Sequence, residues 1–347
     1  MKPIDIISTY RGAEQSGTDA LGFSLAGITF QHARFKSIVL QIAERHHHSS
    51  IHGVSDGLLI TGFSGVGKSK ILRHYQSLFP RRVERGVTII PALFAETQSS
   101  PTVKSLAQTI LGAIGDPTAH RGTAAEKTER IYNYFARCGI EILLLDEFHH
   151  FYYTATVQQY RDITDWLKGI MNNLRCTLVL CGLPEAKNVV RSNSQLWRRF
   201  SSQIELSPFA MDDAEDWLEF RGLLQAFGAQ IPVPFDVPLH ESNMARRVYI
   251  ASGGRLDYVK KLLEGAISVA VRTDLPSIDL AVLAAGFREQ IWSDVPTRLN
   301  PFHPESPLRP LNRSGEPFEP DSHAQMIGSP IARRLGGVLR KAKRDNV

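Results

Sequence analysis

The sequence contains few cysteines, only three among 347 residues. Cys138, Cys176 and Cys181 have neither a C-x-x-C spacing nor the number expected of a disulfide framework. Two of them lie in or beside apolar runs, where a thiol packs as a small hydrophobic group. We therefore predict buried thiols and no disulfide scaffold.

Long apolar runs are also missing. No segment approaches the length of a membrane span, and the first fifteen residues lack the apolar centre of a signal peptide. The hydrophobic content of 43% and the charged content of 22% are ordinary for a soluble globular protein. These features predict a cytoplasmic protein that does not contact a membrane.

The body of the chain lacks an excess of charge, although the net charge of the whole chain is +5. Residues 331–347 hold six basic side chains against Asp345, so this tail carries a net charge equal to that of the whole chain. Nucleic-acid binding by the body would therefore need a local basic patch. The tail could hold DNA or dock a protein partner, or it could be a solvated disordered segment.

A complete phosphate-binding loop of the form G-x-x-x-x-G-K-S occupies residues 62–69. It follows an apolar strand pattern at 58–61 and precedes a helical pattern, a setting in which backbone N–H groups and a helix N-terminus hold phosphates. Lys68 is expected to reach the β- and γ-phosphates, and Ser69 to ligate Mg²⁺. The loop predicts ATP and Mg²⁺ as cofactors. The predicted nucleotide contacts are Gly62, Ser64, Gly65, Val66, Gly67, Lys68 and Ser69.

An acidic pair, Asp146 and Glu147, ends the apolar run at 142–145. Ligands bind at the carboxyl edge of a parallel sheet, where such a pair would lie. Asp146 is expected to bind the nucleotide's Mg²⁺ through water, and Glu147 to orient the water that attacks the γ-phosphate. Strands often end in acidic residues, so the pair acquires its meaning from the phosphate loop about eighty residues earlier.

Strand and helix patterns alternate through the first two thirds of the chain, which predicts an α/β domain with a largely parallel sheet. The predicted strands span residues 58–61, 87–90, 142–145, 177–181 and 204–206. The predicted helices span residues 71–78, 103–114, 124–136 and 160–172.

Four regions are predicted along the chain. Residues 1–56 form a leader whose helix ends before His46, and residues 57–210 form the α/β nucleotide-binding domain. Residues 211–292 form a smaller helical domain, opened by a capping box of Asp212 and Glu215. Residues 293–347 are broken by prolines and are expected to be an extended linker with a basic tail.

The two nucleotide motifs, the strand between them and the helical domain behind them resemble the AAA+ ATPases. The resemblance implies an AAA+ P-loop domain, with a parallel sheet between helices, followed by a helical lid. It implies that Arg199, with Arg198 as second choice, is an arginine finger for a neighbouring subunit, and that Arg255 is a lid arginine touching the nucleotide. An ordinary surface arginine pair and a solvated arginine after a helix-capping glycine are the competing interpretations.

The strand at 177–181 departs from the AAA+ pattern at its end. The family has a polar sensor-1 residue there, whereas this chain has Cys181, Gly182 and Leu183. This part of the sequence therefore does not predict efficient hydrolysis.

Within the AAA+ proteins, residues 30–270 look most like the TniB/TnsC family of transposition regulators. The resemblance rests on L-L-I-T-G-F-S-G-V-G-K-S, on L-L-L-D-E-F-H-H and on C-G-L-P-E-A followed by R-R-F. It implies a slow, regulatory ATPase that forms a ring or filament on double-stranded DNA. It also implies partners of two kinds, a target-selection protein of the TniQ/TnsD type and a transposase of the TnsA/TnsB or TniA type.

The family resemblance points to Lys104, Arg121 and Thr123 as non-specific contacts to the DNA backbone, with Lys104 on a helix opened by Ser100 and Pro101. Ordinary surface residues are the alternative. An initiator- or helicase-loader-like AAA+ protein and a nucleotide-gated scaffold with little hydrolysis are the competing functions. Two histidine clusters, at 46–52 and 149–150, are expected to be a solvated loop and not a protease metal site.

Overall fold

Residue 25, residues 30–99 and residues 102–319 are described by the computed structural model of the chain. Their packing divides them into two units, one ending at Pro208 and the other starting at Phe209 and including residue 25. The predicted basic tail lies outside the described residues. Within the described ranges, none of the helices combines the length and the apolar character needed to cross a membrane.

The first unit is built on a five-stranded sheet in which all neighbouring strands are parallel. In chain order the strands are β1 (Asp56–Gly62), β2 (Arg82–Glu84), β3 (Val87–Ile89), β4 (Ala92–Glu96), β5 (Ile142–Asp146), β6 (Thr177–Gly182) and β7 (Ser202–Leu206). The strand order across the sheet is β4-β5-β6-β1-β7, and β2 pairs with β3 in a separate antiparallel hairpin. This confirms the predicted parallel α/β fold.

Helices cover both faces of this sheet, because successive strand residues point to opposite faces and both sets are apolar. The helices are α1 (Ala33–His52), α2 (Lys68–Ser77), α3 (Val103–Ile114), α4 (Ala124–Cys138), α5 (His150–Thr154), α6 (Val157–Leu174), α7 (Ala186–Arg191) and α8 (Ser194–Arg199). Leu58 and Ile60 of β1 pack with α1 and α2, whereas Leu59 belongs to the core formed with α3, α4, α6, α7 and α8. All three cysteines are buried and free, as predicted.

The predicted sheet strand at 87–90 is wrong. Val87–Ile89 pairs with Arg82–Glu84 in the hairpin, and the edge strand of the main sheet is Ala92–Glu96. The β-branched residues of the first run gave it the stronger local strand pattern. The second run forms the edge strand because Ala92 and Leu93 are almost fully buried against β5.

The predicted end of the leader helix before His46 is also wrong, because α1 continues to His52 and ends at Gly53 with a φ of 60°. His46 faces the core, where its Nδ1 lies 2.9 Å from the Tyr75 hydroxyl and its Nε2 lies 3.0 Å from a Glu141 carboxylate oxygen. These contacts hold the histidine run in a helix. The cluster is therefore not the solvated loop that the sequence predicted.

The second unit is helical, as predicted. Asp213 caps its first helix by accepting a hydrogen bond from the Asp216 backbone N–H at 2.9 Å, so the predicted Asp212–Glu215 capping box is wrong by one residue. The helices are α9 (Ala214–Gln230), α10 (Ser242–Ser252), α11 (Leu256–Arg272) and α12 (Leu280–Gln290), followed by a 3₁₀ turn at Thr297–Leu299.

Residues 293–319 are packed on the second unit, which contradicts the predicted extended linker in this range. Phe302 and Leu311 are buried. The buried Arg247 guanidinium donates to the backbone oxygens of Pro301 and His303. The prolines exclude a long helix here, yet short turns still bury apolar side chains.

Candidate functional site

The phosphate loop lies at the carboxyl edge of the sheet, between β1 and α2. A methyl group on Gly62 would lie 2.2 Å from the Leu206 carbonyl oxygen, so only glycine fits where β1 ends. Gly65 and Gly67 have φ values of 79° and 102°, in the left-handed region that glycine adopts without strain. The predicted strand, glycine turn and helix are therefore all present in the predicted order.

Lys68 is the first residue of α2 and is buried. Its Nζ donates to the backbone oxygens of Gly62 and Phe63 at 2.8 and 2.7 Å. Burial lowers the pKa of Lys68, and the nearby Cys181, Asp146 and Glu147 act in the opposite direction. The fold thus brings the loop lysine within electrostatic range of the acidic pair.

Asp146 ends β5 and is almost fully buried. Its Oδ1 accepts a hydrogen bond from the Glu147 backbone N–H at 2.9 Å. Half-buried Ser69 lies in the first turn of α2. A buried carboxylate near the loop lysine and a hydroxyl beside that lysine form an oxygen donor set, which fits Mg²⁺.

Glu147 has a φ of 57°, which is unusual for a residue with a side chain and costs about 1–3 kcal/mol. The chain turns sharply here, and the Phe148 N–H then donates to the Cys181 carbonyl oxygen at 2.8 Å. Burial raises the pKa of Glu147, and the neighbouring Asp146 charge adds to this. A half-buried carboxylate with a raised pKa is suited to accept a proton.

His149 accounts for the unusual end of β6 and was missed by the sequence reasoning. A methyl group on Gly182 would lie 2.9 Å from the His149 backbone nitrogen and 3.3 Å from its Nδ1. The histidine therefore occupies the space that a sensor-1 side chain on Gly182 would need. The only sequence signal was the histidine pair directly after the acidic motif.

We expect Gly182→Ala to lower the free energy of unfolding by about 1–3 kcal/mol, because the added methyl group would press on the His149 backbone. Thermal unfolding of the purified variant measures this. Gly112→Ala in α3 is the control, since a methyl group there meets nothing within 4 Å. A Gly182 variant as stable as wild type would contradict the proposed fit.

The two candidate finger arginines lie at the opposite edge of the sheet. The backbone oxygen of Arg199 would lie 2.5 Å from a methyl group on Gly57, at the start of β1. Its guanidinium donates to the Asn172 side chain, whereas Arg198 is exposed. The phosphate loop follows the other end of β1, roughly 16 Å away along the strand. The fold therefore does not bring these arginines to the phosphate loop of their own chain.

Arg255 precedes α11 in the second unit. Its guanidinium lies 5.4 Å from the ring centroid of Phe318 and 5.9 Å from that of Tyr258. Gly253 ends α10 with a φ of 58°, so the glycine has the capping role that competed with the nucleotide interpretation. The contact between Arg255 and nucleotide stays a prediction.

The candidate DNA contacts lie at the starts of α3 and α4. Thr102, and not Ser100 or Pro101, caps α3; the latter two lie outside the described residues. Lys104 is exposed on the first turn. Thr123 caps α4 by accepting from the Glu126 N–H at 3.2 Å.

The turn before α4 is held in place by Arg130, which pairs with Asp116 at 2.8 Å and donates to the Arg121 backbone oxygen at 2.6 Å. Burial lowers the pKa of Lys127 on α4, and the charges of Arg130 and Lys104 add to this. Lys104 on α3 is therefore within electrostatic range of Lys127 on α4, four residues after Thr123.

Solved structures of several AAA+ proteins have a similar fold. The Cdc6p protein of Pyrobaculum aerophilum aligns with a TM-score of 0.58 and 13% identity, over 79% of this chain and 74% of that one. The ORC2 protein of Aeropyrum pernix, solved as ADPNP–ADP complexes, aligns with a TM-score of 0.57 and 13% identity, over 79% and 71%. The ORC1 protein of the same organism, solved with DNA, aligns with a TM-score of 0.54 and 16% identity, over 74% and 65%. At these identities the likeness shows the AAA+ fold alone.

A search of the curated proteins found no match. A family model described as the bacterial TniB protein matches residues 26–211. This range covers more than half of the chain and includes the phosphate loop, the acidic pair and the arginine pair. With an AAA+ fold and this match, the chain belongs to the bacterial TniB family.

Proposed function

We propose that this TniB-family chain is an ATP-hydrolysing regulator of DNA transposition, which binds double-stranded DNA and assembles with copies of itself when loaded with ATP. The observation that carries the proposal is the convergence of Lys68, Asp146 and Glu147 at the carboxyl edge of the sheet. ATP and water are converted to ADP and phosphate there.

Each residue has a distinct task in this reaction. Lys68 exchanges its contacts with the Gly62 and Phe63 carbonyl oxygens for the phosphate oxygens of ATP. Ser69 and Asp146 would hold Mg²⁺, which would offset the negative charge of the phosphates. Glu147 accepts a proton from the attacking water while the bond between the γ-phosphorus and the leaving oxygen breaks.

The position of the arginine pair supports assembly. Arg198 and Arg199 lie roughly 16 Å along β1 from their own phosphate loop, so an arginine finger has to reach the ATP of a neighbouring copy. In this proposal each active site is shared between two subunits, so hydrolysis occurs only in the assembly. Arg255, from the helical unit, would touch the same nucleotide.

The exposed Lys104 on the first turn of α3 and the start of α4 support non-specific DNA binding. An exposed lysine and helix N-terminal groups hold phosphate oxygens without reading base sequence. The body of the chain has little net charge, so one subunit offers few such contacts. Repeating Lys104, Arg121 and Thr123 around an assembly multiplies them.

The finer parts of the proposal follow from membership in the family. The DNA-bound assembly links a target-selection protein of the TniQ/TnsD type to a transposase of the TnsA/TnsB or TniA type. Turnover is slow and sets the lifetime of the assembly, in the cytoplasm. One observation favours a second function, a nucleotide-gated scaffold with little hydrolysis: Gly182 stands where a polar sensor-1 residue is usual. Phosphate release in the presence of DNA distinguishes the two.

Sedimentation with duplex DNA tests the proposal. We expect co-sedimenting assemblies with ATP or a slowly hydrolysed analogue, and few or none with ADP or without nucleotide. Lys104→Ala should weaken binding to all sequences and lower the slope of log affinity against log salt by about one per contacting subunit. Lys168→Ala, which removes a half-exposed lysine paired with Asp165, is the control. DNA binding of equal strength with ATP, with ADP and without nucleotide would refute the proposal.

A further inference from the structure

Three ligating side chains meet beside the proposed ATP site. The Nε2 atom of His149 lies 3.4 Å from Oε2 of Glu147, and the Nε2 atom of His150 lies 3.6 Å from the same oxygen. A nitrogen of each histidine and a carboxylate oxygen all lie within 4.8 Å of one another. Two imidazole nitrogens and one carboxylate oxygen thus form a compact cluster.

The backbone builds this arrangement. The left-handed turn at Glu147 is followed by the anchored N–H of Phe148, and α5 begins at His150. The absence of a side chain on Gly182 leaves room for His149, which is buried. A backbone turn, a contact with a strand and the start of a helix therefore position the three side chains.

The spacing matches that of ligands around a metal ion. A direct N–H···O hydrogen bond spans about 2.7–3.2 Å, so both distances are longer than a good one. Zinc bonds to histidine nitrogen and carboxylate oxygen are about 2.0–2.2 Å long, which gives tetrahedral ligands a separation of about 3.3–3.5 Å. The observed 3.4 and 3.6 Å are close to that separation.

The donor set selects the class of ion. Imidazole nitrogens suit zinc and similar transition metals, whereas Mg²⁺ prefers oxygen ligands and keeps several waters. The proposed Mg²⁺ ligands, Ser69 and Asp146, offer oxygen only. The carboxylates of Asp146 and Glu96 act on Glu147 with negative charge, and the Lys68 ammonium acts on it with positive charge.

We infer that Glu147, His149 and His150 form a binding site for Zn²⁺ or a related divalent transition metal. Its consequence rests on the proposed function: a metal bound to Glu147 takes away the carboxylate that activates water. Occupation would then stop hydrolysis while leaving ATP and DNA bound. The DNA assembly would persist for longer in the presence of zinc.

Binding of Zn²⁺ alone to the full chain tests the site, by competition with a fluorescent zinc chelator in excess Mg²⁺. Wild type is expected to take up one tightly bound ion, and His150→Asn to bind it at least about tenfold more weakly. Co²⁺ provides a second readout, since its visible absorption reports a low-symmetry nitrogen and oxygen site. His149→Asn is the second site variant, read against its thermal stability because this residue is buried.

The matched control lies on α1. His48 and His52 are one helical turn apart, with ring centroids separated by 4.7 Å, and could hold a surface ion. Changing both to Ala should leave the tight ion in place. Loss of the ion in this control, an unchanged affinity in His150→Asn, or no tight zinc in wild type would each overturn the inference.

ATP turnover separates this inference from the proposed function. Zinc should inhibit wild type, while His150→Asn should keep its own zinc-free rate at the same zinc concentration. If wild type binds zinc but hydrolyses no ATP, the metal site stands and the proposed ATPase function fails. If wild type hydrolyses ATP but binds no zinc, the proposed ATPase function stands and the metal site fails.

Discussion

Replacing Glu147 with Gln is expected to slow phosphate release about a hundredfold or more while ATP still binds. The amide keeps the shape of the side chain but cannot accept a proton from the attacking water, a contribution worth about 10²–10⁴ in rate. The raised pKa of Glu147, caused first by burial and then by Asp146, fits this task. Single-turnover phosphate release measures the rate, and a fluorescent ATP analogue measures binding.

The same variant should lengthen the life of the DNA-bound assembly, because ATP is no longer removed. Glu205→Gln is the matched control, since this carboxylate is exposed on β7. We expect it to leave both rates unchanged. Phosphate release at the wild-type rate from Glu147→Gln would remove this residue from the mechanism.

Removing the arginine finger is expected to lower ATP turnover about a thousandfold, the lower end of what a finger supplied by a partner contributes in GTPases. Arg199→Ala and Arg198→Ala each test one of the two candidates. Neither arginine lies near its own phosphate loop, because the pair precedes β7 at the amino edge of the sheet. Either variant, if it removes the finger, should regain part of its activity when mixed with Lys68→Ala.

Complementation is expected because one mixed interface pairs an intact phosphate loop with an intact finger. Asn172→Ala frees Arg199 from its hydrogen bond without removing it, so it separates local packing from transition-state stabilisation. Arg191→Ala removes a neighbouring arginine that lies over Trp197 and should retain wild-type turnover. If both finger variants keep full activity, or if mixing restores none, the shared site is disproved.

The local parts of the nucleotide site could be predicted from the sequence. A glycine-rich turn needs its glycines at fixed positions, and Gly62, Gly65 and Gly67 have the backbone freedom or the close packing that requires them. The acidic pair could be placed because an apolar strand must end at a sheet edge. These motifs depend on neighbours in the chain, and local geometry is encoded by local residues.

The edge strand of the main sheet could not be predicted from local sequence patterns. Both 87–89 and 92–96 are short apolar runs, and the β-branched one was chosen for the main sheet. Burial against β5 decides which of the two runs joins the main sheet, and the residue pattern of a single strand does not contain this information. His46 is a second case. A run of histidines predicts a polar, exposed segment, and only the contacts of His46 with Tyr75 and Glu141 account for its buried position.

By itself, the sequence determined the phosphate loop, the acidic pair, the alternation that makes a parallel sheet and the helical second unit. Only the tertiary structure decided that His149 fills the space beside Gly182 and that Lys104 comes within electrostatic range of Lys127. It also decided that the arginine pair lies at the other end of β1 from its own phosphate loop. The physical reason is that these relations join residues far apart in sequence, and packing across the sheet, not local propensity, sets their distances.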